Sequence, residues 1–153
     1  MRIIYIFVLI IMSIFGGNNL EIQSDLVKCM TSPNSIIIYS ENDSTTISTE
    51  DSLYKEITDS IITMCSNARE MPAFGVALDT ETREAMKTGL WIELVYDGTQ
   101  EYNEMPFDSL LIQVEKDYSG FNVIRKFKGK YDGRCFYLSL GGDMSALYNT
   151  LTK

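Results

Sequence analysis

The chain has 153 residues, 45% of them apolar and 22% charged, a composition that suits one folded domain and excludes global disorder. Thirteen Lys and Arg against 21 Asp and Glu leave a net charge of −8, which on average repels nucleic acid and anionic lipid. Histidine is absent, so Ser-His-Asp and Cys-His relays and His-ligated zinc are excluded.

Residues 1–17 read MRIIYIFVLIIMSIFGG: one Arg, an apolar run, then two small residues. The run is shorter than the ~20 residues of a spanning helix and matches a signal-peptide core. We expect a signal peptide cleaved near Gly17, or else a retained N-terminal anchor. Residues 18–153 are expected to form a single α+β domain, and the location is expected to be secreted or extracytoplasmic.

Leu20, Ile22, Leu26, Val27 and Met30 recur at loosely helical spacing, and Pro33 ends that helix. Residues 35–40, SIIIYS, read as a strand, and residues 41–48, ENDSTTIS, as a polar loop. A helix is expected over residues 50–66, beginning at Thr49. Its stripe is Leu53, Ile57, Ile61, Met64 and Cys65. Residues 73–78 read as a strand and residues 79–88 as a short helix or loop ending at Gly89. Residues 90–97, LWIELVYD, place Leu90, Ile92, Leu94 and Tyr96 on one face and Trp91, Glu93, Val95 and Asp97 on the other. Asp97-Gly98 is expected to turn the chain into a polar connection over residues 99–107.

Residues 108–140 carry the fold: three strands in a meander, with turns at residues 117–120 and at Asp132-Gly133. Phe136, Leu138 and Leu140 line the apolar face of the third strand. Ile124 falls on the wrong face of the second, and Arg125 falls on the apolar face and needs a rim position or a partner. Gly141-Gly142 breaks the sheet. Asp143 caps a last helix, over residues 143–152, carrying Met144, Leu147, Tyr148 and Leu151. The fold expected is an antiparallel sheet of about five strands with two main helices, 50–66 and 143–152, packed on one face.

Three features carry candidate chemistry. The first is a basic hairpin, Arg125, Lys126, Lys128, Lys130, Tyr131 and Arg134, with five cations and one Asp in a ten-residue stretch. It has the composition to hold a protein or an anionic polymer, or else it is a solvated strand whose lysines block edge pairing. Nucleic acid is not expected as the partner, and membrane only if the N-terminal segment stays attached. The second is a scatter of loop carboxylates: Glu41 and Asp43 in one loop, Glu101, Glu104 and Asp108 in another. They would serve a hydrolase only if two faced each other across a cleft. The third is cysteine. Cys29, Cys65 and Cys135 have no C-x-x-C spacing and read as small buried apolar residues or one disulfide, with Cys135 as a possible exposed thiolate beside Arg134. No cofactor and no dedicated metal are expected. The reading is a small exported non-enzymatic binding or surface-assembly module. Its alternative is a carboxylate-dependent extracytoplasmic hydrolase acting on a polymer.

Overall fold

The computed structural model describes residues 24–153. The apolar run at 3–15, the expected cleavage site and the Leu20-Ile22 part of the first expected helix lie outside the described residues.

Four helices and ten strands follow in chain order: α1 (Asp25–Met30), β1 (Ser35–Ser40), β2 (Asp43–Ser48), α2 (Ser52–Met64), β3 (Arg69–Met71), β4 (Val76–Ala77), α3 (Asp79–Ala85), β5 (Leu90–Tyr102), β6 (Met105–Gln113), β7 (Gly120–Phe127), β8 (Lys130–Tyr131), β9 (Gly133–Arg134), β10 (Phe136–Ser139) and α4 (Ser145–Leu151). The class is α+β, as expected. The sheet has eight strands where about five were expected, in the order β2-β1-β5-β6-β7-β10-β3 with β8 paired to β7; β4 and β9 form a separate two-stranded sheet. Every pairing is antiparallel.

The additional strands come from segments whose sequence looks like loop. Residues 43–48 form an edge strand with β1 as its one partner, and Ile47 is its sole buried residue. An edge strand wetted on both faces needs little apolar alternation, so it reads as polar connection. Residues 99–107 were expected to connect. Instead β5 continues to Tyr102 and pairs with β6, with a bulge between Val95 and Gln100 that absorbs Asp97-Gly98. The chain reverses at three two-residue turns: Glu41-Asn42, Asn103-Glu104 and Lys128-Gly129. Both central residues have positive φ in each. Those dihedrals suit the right-handed twist of a hairpin.

The basic hairpin therefore turns at Lys128-Gly129, not at Asp132-Gly133. β8 pairs with β7 as Lys126↔Tyr131, a register that would set Val123 opposite Arg134. Phe136 sits there instead, so two extra residues are accommodated between β8 and β10. In that excursion β9 leaves the main sheet to pair with β4, Val76 opposite Arg134. Of the strand expected over 73–78, only Val76–Ala77 is paired.

One sheet face carries Ile36, Ile92, Leu94, Leu110, Ile112, Val123, Phe136 and Leu138. It packs on Leu26, Val27 and Met30 of α1, Ile57, Ile61 and Met64 of α2, and Leu147 of α4. The stripes at 50–66 and 143–152 are thus the covering helices, as expected, with α1 beside them. The N-terminus of α2 lies at Asp51, whose carboxylate accepts from the Ser48 amide at 2.7 Å, rather than at Thr49. Burial of each large apolar side chain on this face contributes on the order of 1.5–3 kcal/mol.

The opposite face is also buried. Trp91, Leu111 and Tyr131 form a second, smaller core, with Tyr39, Met86 and Ile124 packed against it under α3. That placement explains Ile124, the one apolar residue out of phase in β7. It also buries Trp91, whose indole donates to the Thr88 carbonyl at 2.9 Å.

Candidate functional site

Strand alternation sends Glu93 to the second face, between Trp91 and Val95 along β5. Its cross-strand neighbours are Ile37 on β1 and Leu111 on β6. A carboxylate sealed among such residues, 1% exposed, carries a large desolvation cost unless hydrogen bonds replace water. Four donors do so. Ser109 Oγ (2.5 Å) and Lys126 Nζ (3.2 Å) meet Oε1; Tyr39 Oη (2.6 Å) and Tyr131 Oη (2.9 Å) meet Oε2. Register brings them together: Lys126 lies opposite Ser109 and Tyr131 opposite Lys126, while Tyr39 lies opposite Trp91.

The electrostatics follow. Burial by itself would raise the Glu93 pKa. The Ser109 and Tyr39 hydrogen bonds, the Lys126 charge and the Tyr131 hydrogen bond outweigh it, so the carboxyl titrates below its ordinary range and stays ionised. Burial and the adjacent carboxylate push both tyrosines well above the usual phenol range, so their hydroxyls remain donors. Among the described residues every buried side-chain polar atom has a hydrogen-bond partner.

A second set of contacts fastens the hairpin over this centre. Asp79, at the start of α3, accepts from the Tyr131 amide (2.8 Å) and from Arg83 Nε (3.0 Å). Arg83 donates onward to the Gly129 carbonyl at 2.8 Å. Arg83 and Lys126 both lie over the Tyr131 ring, 5.0 and 4.9 Å from its centroid, within cation–π range. The Arg83 guanidinium holds Asp79 below the usual carboxylate range, helped by the Tyr131 amide. Asp108 accepts from the Lys128 amide at 2.9 Å and from Thr99 Oγ at 2.6 Å, which fixes the turn from the other side.

Above the tyrosines lies an open cavity of about 350 Å³, lined in part by Tyr39, Asp43, Arg83, Lys87, Lys126 and Tyr131. Each cation on its wall has an acid partner: Asp79 for Arg83, Glu84 for Lys87 and Glu93 for Lys126.

The six residues expected to form one contact surface are divided by the fold. Tyr131 is 2% exposed and belongs to the second core. Lys126 is half-turned inward to Glu93. Arg125 donates to the backbone carbonyls of Arg134 (2.8 Å) and Pro106 (2.7 Å), which supplies the partner its apolar-face position required. Lys128, Lys130 and Arg134 are exposed, and among the described residues none of the three makes an ion pair.

Of the loop acids, Asp108 serves the hairpin turn and Glu104 forms the β5–β6 turn, whereas Glu41 and Asp43 flank the β1–β2 turn and together line an open pocket of about 320 Å³ there. Among the described residues no group of three or more His, Cys, Asp or Glu side chains gathers to hold a metal. All three cysteines are free thiols. Cys135, considered above as an exposed thiolate, is buried, and burial raises its pKa despite the Ala77 hydrogen bond and the Arg125 charge.

Neither a protein-family model, nor a curated protein, nor a solved structure matches this chain. The arrangement itself is the available guide. It comprises an ionised, inaccessible carboxylate, two tyrosine hydroxyls and one lysine locked to it, and a basic turn fixed at both ends.

Proposed function

We propose that the chain is a small exported non-enzymatic binding module that holds an acidic partner surface at the β7–β8 turn. The observation that carries this reading is the contrast between Lys126 and its neighbours. Lys126 is neutralised by Glu93, whereas Lys128 and Lys130 project from a turn fixed by Asp108 and Arg83 and have no acid partner among the described residues. Fixing a charged turn in advance lowers the ordering cost of binding and favours electrostatic encounter.

Glu93 supports the binding reading over the hydrolytic one. A general acid or nucleophile must reach the scissile bond, and this carboxylate is sealed with both oxygens occupied. Its role is to hold Tyr39, Lys126 and Tyr131 as a floor beneath the turn. Export rests on the apolar run at residues 3–15.

The test is salt elution of the full chain from immobilised heparin. The Lys128→Glu, Lys130→Glu double variant elutes at lower salt than the parent, whereas Lys55→Glu, on the exposed side of α2, has little effect. Equal elution of parent and double variant refutes the assignment of the turn.

A further inference from the structure

The acids of the β1–β2 turn belong to a larger groove. A second open pocket, of about 410 Å³, adjoins the first at Ile38, Ser40 and Glu41. Ile38, Leu90, Val114 and Leu151 give it apolar walls, and exposed Glu41 and Glu115 border it. No Lys or Arg lines either pocket. Among the described residues none of Glu41, Asp43 and Glu115 makes an ion pair. An apolar groove with a wholly acidic border suits a long cationic side chain, whose stem packs on the walls while its head meets the carboxylates.

The same chain carries the complement. Lys128 and Lys130 are exposed, and no acid among the described residues pairs with them. Turn and groove lie at opposite ends of the strands. The Glu41-Asn42 turn follows Ser40, which pairs with Leu90 at the start of β5. The Lys128-Gly129 turn lies just beyond Lys126, which is in register with Val95 of β5 through Ser109. The stretch from Leu90 to Val95 alone covers ~17 Å of strand. One copy therefore cannot place its own turn in its own groove, and any such contact joins two copies. Both turns are two-residue reversals with positive φ, and Asp108 fixes the basic one at the Lys128 amide, so neither surface has to be ordered on contact. Screening is strong beyond ~8 Å at physiological salt, so the charges at the contact count for more than the net −8 that each copy carries.

We propose that the acidic surface held by the β7–β8 turn is the groove of a second copy of this chain, an inference that rests on the reading above. Lys128 and Lys130 of one copy meet Glu41, Asp43 and Glu115 of the next. The two surfaces differ and lie at opposite ends, so the contact is heterologous and repeats from copy to copy, building an open row rather than a closed dimer.

The test is analytical ultracentrifugation of the full chain over a range of concentrations, with two charge-reversed variants. One is Lys128→Glu with Lys130→Glu; the other is Glu41→Lys with Glu115→Lys, which breaks no ion pair among the described residues. The expected result is that the average mass of the parent rises with concentration and that each variant alone loses that rise. An equal mixture of the two variants recovers it, because an unchanged turn then faces an unchanged groove, and so does a chain with all four substitutions. The proposal is overturned if the parent stays monomeric, if either variant alone associates as the parent does, or if the mixture fails to recover association. Heparin elution separates the two claims. A monomeric parent whose elution still depends on Lys128 and Lys130 overturns this inference alone, whereas equal elution of parent and turn variant overturns the reading beneath it.

Discussion

Lys126 and Glu93 sit on strands separated by β6, yet their side chains meet on the second face of the sheet with Nζ 3.2 Å from Oε1. The contact joins the basic hairpin to the central strand. Lys126 is 30% exposed and Glu93 1%, so removing the carboxylate harms the fold more than removing the ammonium. Glu93→Gln leaves a buried amide facing three donors and a cation. We expect a loss of about 2 kcal/mol, measured by denaturant unfolding. Lys126→Met, which keeps the stem over Tyr131, is expected to cost less.

The same carboxyl sets an acid limit. Its folded pKa lies below its ordinary value of 4.5. A lowered pKa contributes stability that is complete above the unfolded value and is lost as pH falls through the folded one. The stability gap between the parent and Glu93→Gln therefore narrows as pH falls below 4.5. A gap that stays constant to pH 3 contradicts the ionised state.

At the alkaline end the sign is reversed. Tyr39 and Tyr131 have folded pKa values above the ordinary 10.0, so their contribution is complete below pH 10 and is lost as pH rises above it. Absorbance titration at 295 nm is expected to show these two phenols ionising together with unfolding, while exposed tyrosines ionise earlier.

Much of the main core was legible, because Ile57, Ile61, Leu110, Ile112, Phe136 and Leu138 obey single periodicities. The second core was not. Its signals were Trp91 and Leu111 on the faces opposite the main apolar one, and Ile124 out of phase in β7. Each is weak alone, but together they describe a second buried face. On such a face an acid at position 93 must find partners, and that inference would have led to Glu93. The turns misled for a different reason. Asp97-Gly98 and Asp132-Gly133 have the composition of hairpin turns but occupy a bulge and a strand crossing. Glu41-Asn42 and Asn103-Glu104 make the reversals with only one Asn each. The basic cluster was legible as composition, whereas the inward position of Tyr131 depended on register.

The crossing of β7 and β10 gives a backbone prediction. A Cβ on Gly120 would meet the Tyr137 hydroxyl and, at 3.0 Å, the Leu138 carbonyl, whereas one on Gly98 would meet nothing within 4 Å. Gly120→Ala is expected to lower stability by about 2 kcal/mol and Gly98→Ala to change it by less than about 0.5 kcal/mol. Thermal unfolding of the two variants side by side checks the register.

Thiol labelling probes the main core and the β4–β9 pairing at once. Burial pushes Cys65 up to about 12 and raises Cys135, whereas Cys29 is only half-buried. With an aromatic disulfide reagent at neutral pH, Cys29 is expected to react first. Cys65 and Cys135 follow only at the rate of unfolding. Rapid labelling of Cys135 in the folded protein contradicts the β4–β9 pairing that encloses it.

The most direct measurement is a carbon-13 NMR titration of the Glu93 side-chain carboxyl. An anion held by Ser109, Tyr39, Lys126 and Tyr131 titrates below 4.5, and its midpoint rises when Lys126 is changed to Met. A midpoint above 4.5, or one that does not move in Lys126→Met, would show that the carboxyl is not the ionised centre on which the hairpin is built.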